Sequence, residues 1–278
     1  ATALAAQGRS ILNLGIGQPD FRPPEHIVEA AVKALRDGQH GYTPSVGILP
    51  LREAVCRDLH TRFDVEVSPE RVMIVPGGKV TMYAAILLFG EPGAEILYPD
   101  PGFPIYRSMI EYTGATPVPV PIREANGFAF SADETLSLIT PRTRLLIINS
   151  PANPTGGVTP KAEIDKLVKG LEAHPHVAVM SDEIYDHFLF DGEQHQTLLA
   201  YPEIRDRLIL LNGHEGVGAA GAVFTESRPA NLWAEAMAHS RLFPSAPSRR
   251  INDSLLAYSP SGNCFRSTQP LPPSHVSR

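Results

Sequence analysis

Short β-branched or aliphatic runs alternate along this chain with segments whose apolar residues recur at helical spacing, and that alternation restricts the fold more than any other property. It specifies a parallel sheet covered on both faces by helices, an α/β class with three α/β/α layers and a mainly parallel sheet. The runs expected to be strands are Arg71 to Val75, Glu95 to Tyr98, Thr116 to Pro121, Leu145 to Asn149, Val177 to Met180 and Leu208 to Leu211. Several end in glycine or polar residues, and open α/β sheets bind ligands in the crevice beyond the carboxyl ends of their strands. With 278 residues, 43% of them hydrophobic, the chain can bury a sizeable core.

Between the strands, Pro24 to Leu35 reads as a helix closed by Gly38. Leu51, Val55 and Leu59 place an apolar stripe on a second, and the run Val80 to Phe89 forms a third. Thr159 and Pro160 open a fourth, with Ile164, Leu167, Val168 and Leu171 as its buried face. After Gly213 the character changes: no lysine occurs, serine and proline are frequent, and only Ala230 to His239 reads as helical. The chain divides into an N-terminal segment (1–40), a large ligand-binding domain (41–213) and an atypical, partly disordered tail (214–278). A frame change or truncation is the expected origin of that tail, and Gly218 to Phe224 offers a replacement strand.

A formal charge of −6 without a basic run gives no reason to expect nucleic acid or an anionic membrane as partner. No stretch of about 18 apolar residues occurs, and Ala1 to Ser10 does not read as a leader, so a cytoplasmic protein is expected. Cys56 and Cys264 are far apart and lack metal-ligand spacing, and His174 and His176 read as surface histidines, so neither a disulfide framework nor a metal site is expected.

Four segments carry chemistry. Val75-Pro76-Gly77-Gly78-Lys79 runs from a strand through glycines into a helix, where backbone N–H groups form an anion site suited to phosphate; an ordinary strand-to-helix turn is the alternative. Tyr98 to Pro104 is a proline-rich turn projecting Phe103, either over a flat heterocycle or into the core. Asn149 to Gly156 holds Asn153 between prolines as a fixed donor suited to a phenolate oxygen. Ser181-Asp182-Glu183-Ile184-Tyr185 follows an apolar strand, with a carboxylate able to hold a ring nitrogen protonated and a tyrosine within reach of the same ligand.

The order and spacing of these four segments resemble the aspartate-aminotransferase-like class I/II family, fold type I of the pyridoxal-phosphate enzymes. The resemblance runs from about Asn13 to Gly213 and includes Asn13 to Phe21 and Gly41 to Gly47. It implies that Gly78 and Lys79 offer backbone N–H groups to the cofactor phosphate, that Phe103 stacks on the pyridine ring, that Asn153 and Tyr185 bond the ring oxygen, and that Asp182 pairs with the pyridinium nitrogen. It further implies that Tyr42 reaches the neighbouring subunit's cofactor in a homodimer, that Gly17 lies near the substrate carboxylate, and that the substrates are an amino acid and a 2-oxo acid.

One part of the family's pattern is missing. The strand matching Leu208 to Leu211 should lead into a Ser-Lys motif and then a Gly-x-Arg stretch, yet Asn212-Gly213 is followed by His214 to Gly221, so no Schiff-base lysine is present. The small C-terminal domain is expected to be absent or replaced. Of the lysines, only Lys79 is expected near the pocket, as an electrostatic partner of phosphate. The chain is therefore expected to bind pyridoxal 5'-phosphate weakly or non-covalently and not to transaminate. The alternative is a non-catalytic cofactor-binding relative, or a shortened product pairing with an intact one. Gly216 to Gly221 also matches a dinucleotide-binding GxGxxG, but such a turn should open a long helix, and Pro229 interrupts it.

Overall fold

The computed structural model describes residues 2–12, 22–214 and 219–224. Its helices are α1 (Thr2–Ala5), α2 (Glu25–Arg36), α3 (Leu49–Phe63), α4 (Gly78–Phe89), α5 (Ile105–Thr113), α6 (Ala132–Ser137) and α7 (Lys161–Leu171). Its strands are β1 (Val72–Val75), β2 (Glu95–Asp100), β3 (Thr116–Pro121), β4 (Thr143–Asn149), β5 (Ala178–Asp182), β6 (Leu208–His214) and β7 (Ala219–Phe224). They form one sheet in the order β1-β7-β6-β5-β4-β2-β3. Strands β6, β5, β4, β2 and β3 are mutually parallel, whereas β7 is antiparallel to both its neighbours.

The two-residue period of a strand sends successive side chains to opposite faces, and β4 shows the result. Leu145 and Ile147 join the core beneath α4 and α5, packing with Ile86, Ile96, Tyr106, Ile110 and Met180. Leu146 and Ile148 join the core on the other face with Val55 and Leu59 of α3, Ala132 of α6 and the Ile164, Leu167, Val168 and Leu171 face of α7. Each such side chain contributes about 1.5–3 kcal/mol relative to exposure. This is the expected three-layer arrangement.

The expected helix and strand boundaries shift for identifiable reasons. Strand β5 extends to Asp182 because its ladder continues on both sides, with Asp182 opposite Asn149 and Leu211. Strand β6 extends to His214 because β7 turns back along it, pairing Gly213 with Ala220 and His214 with Ala219. In α3, Val55 and Leu59 are buried but Leu51 is exposed, since each four-residue step rotates a side chain by about 40° and the stripe drifts off the core. Of the Gly216 to Gly221 motif, residues 219–221 are described, and they lie in strand β7. The segment Pro244 to Arg278 lies outside the described residues.

Candidate functional site

A cavity of about 150 Å³ opens where β1, β2, β4, β5 and β6 reach their carboxyl ends, and it is lined by Gly78, Lys79, Met82, Phe103, Tyr106, Asn149, Asn153, Asp182, Ile184, Tyr185 and Leu211. Six side chains or backbones singled out in the sequence, at 78, 79, 103, 153, 182 and 185, are thus brought together from four separate segments. Tyr42 is fully exposed and does not line the cavity. Gly17 lies outside the described residues.

The glycine turn forms one wall. Gly77 adopts φ +85°, a conformation that favours glycine, and the chain passes directly from it into α4 with no side chain capping the helix. The Val80 N–H bonds the Gly77 carbonyl at 3.2 Å, and the Gly78 and Lys79 N–H groups have no carbonyl four residues earlier in the helix to bond, which suits them to an anion. Lys79 stands in that turn. Of the five lysines in the sequence, Lys33, Lys161, Lys166 and Lys169 pair with Asp37, Asp165, Asp133 and Glu172. Lys79 has no carboxylate partner among the described residues.

Asp182 also lines the cavity and is almost completely buried, at 2% exposure. Its Oδ2 accepts a hydrogen bond from the Tyr106 hydroxyl at 2.5 Å, and its Oδ1 accepts from the Ile184 N–H at 3.3 Å. Burial pushes this carboxyl up to about 6, against the lowering effect of those two bonds, with the neighbouring Glu183 charge adding to the rise. Burial and the same carboxylate hold the Tyr106 phenol well above its usual value, so it stays a neutral donor.

A polar chain connects β4 to β5 along the floor. Asn149 donates from Nδ2 to the Asp182 carbonyl at 3.0 Å, and its Oδ1 accepts the Asn153 N–H at 2.8 Å. Asn153 in turn donates from Nδ2 to the Tyr185 hydroxyl at 3.1 Å. Below the site, Glu183 accepts from Ser181 Oγ at 2.8 Å and the Leu198 N–H at 3.0 Å and meets His195 Nε2 at 2.7 Å. Asp186 accepts from Arg62 at 2.6 Å and Asn212 at 2.7 Å. These buried carboxylates tie the loop after β5 to α3 and β6. Among the described residues no cluster of His, Cys, Asp and Glu is placed to hold a metal ion, and no helix is long and apolar enough to cross a membrane.

Sequence reasoning missed Tyr106 and Asn149. Tyr106 lies three residues after Phe103, a spacing that brings both rings to one side of the chain, and their centroids are 6.0 Å apart. Asn149 ends a strand and so sits on the carboxyl edge that the fold class already marks as the binding edge.

Residues 9–215 match the family model described as aminotransferase class I and II. The chain is 34% identical over 214 residues to aspartate aminotransferase from Pinus pinaster, covering 77% of this chain and 44% of that protein. It is 38% identical over 210 residues to aromatic-amino-acid aminotransferase 2 from Thermococcus litoralis, covering 75% and 54%. The crystal structure of the aspartate aminotransferase from Rhizobium meliloti superposes with a TM-score of 0.78 at 29% identity, over 89% of this chain and 62% of that one. The chain thus spans about half the length of the curated relatives it matches. With the fold, the matched segment and this extent of identity in agreement, the chain belongs to the class I and II aminotransferase family.

Proposed function

We propose that the cavity is a pyridoxal 5'-phosphate pocket and that residues 1–278 hold this cofactor reversibly, without transaminating. The observation that carries the reading is a single cavity lined both by the buried Asp182 carboxyl, an acceptor, and by the uncapped N-terminus of α4 with Lys79 beside it. A ligand that carries both a cationic N–H and a phosphate matches these two features. The residues fit: Gly78 and Lys79 would meet the phosphate, Phe103 the ring face, Asn153 and Tyr185 the ring oxygen and Asp182 the ring nitrogen.

When bound, the cofactor would supply an electron sink for moving an amino group between an amino acid and a 2-oxo acid, the substrate pair of the family. Asp182 would keep the ring nitrogen protonated, and Phe103 would exclude water from one ring face. Moving a proton at the substrate carbon needs a base close to it, and no lysine follows Lys169 in the sequence. Loss of general acid–base catalysis costs about 10²- to 10⁴-fold, which supports the inactive reading. The exposed Tyr42 and α2 support a dimer, either of two such chains or of this chain with an intact relative. The differing names of its relatives leave the amino acid open.

The test is titration with pyridoxal 5'-phosphate, followed by borohydride reduction, peptide mapping and an amino-transfer assay. Saturable binding, no adduct and a rate equal to that of free cofactor are expected. An adduct on Lys79 would show covalent anchorage, absence of binding would remove the pocket assignment, and amino transfer clearly above the free-cofactor rate would remove the inactive reading.

A further inference from the structure

We propose that Tyr106 is a positioning residue for the ring nitrogen: its hydroxyl locks the Asp182 carboxylate in a single orientation as an acceptor, making the pocket selective for a protonated pyridine over a ring of the same shape without nitrogen. This deepens the cofactor reading and rests on it. Tyr106 is completely buried in α5, one turn after the Phe103 bend, so packing fixes where its hydroxyl can point. The phenol donates its proton to Asp182 Oδ2 at 2.5 Å. The Ile184 N–H holds the other oxygen at 3.3 Å. With both oxygens engaged by residues that themselves line the cavity, the lone pairs that remain form the acceptor a ring N–H would meet.

The direction of the electrostatics agrees. The groups that line the cavity with the Asp182 carboxyl or act on it are Tyr106 from α5, Glu183 and Tyr185 after β5, and Lys79 from α4, while β4 presents the uncharged Asn149 and β6 the apolar Leu211. Among them, the Tyr106 hydrogen bond is the strongest effect lowering the carboxyl's affinity for a proton. Its removal raises the pH below which Asp182 is neutral, and a neutral carboxyl no longer demands a cationic partner.

The experiment compares the full chain with Tyr106→Phe, using pyridoxal 5'-phosphate and its analogue with carbon in place of the ring nitrogen, with dissociation constants measured by fluorescence titration from pH 5 to 8.5. In the parent chain, affinity for the cofactor should fall as pH drops through about 6. In Tyr106→Phe that fall should begin at higher pH, and the preference over the analogue at pH 7 should shrink about tenfold, the scale of one charge-assisted hydrogen bond. Affinity for the analogue should stay constant. Equal losses for both ligands, or an unmoved pH profile, would overturn the proposal while leaving the pocket assignment intact. Failure of the parent chain to bind the cofactor would overturn both. Should Tyr106→Phe not fold, 3-fluorotyrosine at position 106 keeps the ring and makes the phenol a stronger donor. The profile should then move to lower pH, and an unmoved profile would overturn the proposal.

Discussion

At the scale of single residues, the site is built against the stability of its own fold. A carboxyl whose proton affinity is raised from 3.8 unfolded to about 6 folded binds protons more tightly in the native state, so its contribution favours folding most when protonated. That advantage is present below about pH 3.8 and is lost as pH rises through 6, where the ionised group costs about 3 kcal/mol. Asp182→Asn should therefore melt at higher temperature than the parent at pH 8, with the gap closing between pH 6 and 4. The same variant should lose most of its affinity for pyridoxal 5'-phosphate. A variant with unchanged stability across that range would mean that the carboxyl is more solvated than its 2% exposure suggests. The residues readable from sequence alone were those within local motifs at strand ends. Asp182 follows an apolar strand and Gly78 follows a strand and glycine, both local signals. Tyr106 depends on a contact 76 residues away in the chain, which no local pattern reports.

At the scale of elements, periodicity located every strand from β1 to β6 and the helices α2, α3, α4 and α7. The apolar face of α7 was legible residue by residue, and Leu167, fully buried, is its centre; Leu167→Ala should cost about 2–5 kcal/mol by leaving a cavity under β4 and β5, measurable by urea unfolding. The stripe on α3 was legible only in part, because packing against the sheet selects Val55 and Leu59 and leaves Leu51 outside. Strand boundaries were less legible because they follow from partners rather than from composition. Strand β7 shows this most strongly: the run Gly218 to Phe224 was readable as a replacement strand, and Ala219–Phe224 is one, but its place between β1 and β6, with Ala222 opposite Met73 and Leu211, follows from its partners. A proline there removes a ladder donor and cannot be accommodated as it would be at an edge. Ala222→Pro should destabilise the fold by about 3 kcal/mol or more, and an unchanged urea midpoint would show that β7 contributes little.

At the scale of the whole molecule, the apolar surface is unevenly placed. The buried core lies along the sheet, whereas no residue of α2 is buried, and Leu12, Leu35, Tyr42, Ile48 and Leu49 are exposed. Such surface drives association. Sedimentation velocity should show concentration-dependent association of the chain, and the double variant Leu35→Asp with Leu49→Asp should weaken it without changing affinity for pyridoxal 5'-phosphate; association at undiminished strength would move the contact elsewhere. The order of strands in the sheet has a consequence during biosynthesis. Strand β1 leaves the ribosome early, but its neighbour β7 is made 145 residues later, counting from Val75 to its partner Ala220. At ordinary translation speed that is roughly 7 to 30 s, during which β1 has no β7 to pair with and the nascent chain offers an open edge to chaperones and proteases. Among the described strands, the one made last is the one that joins β1 to the five parallel strands made in between.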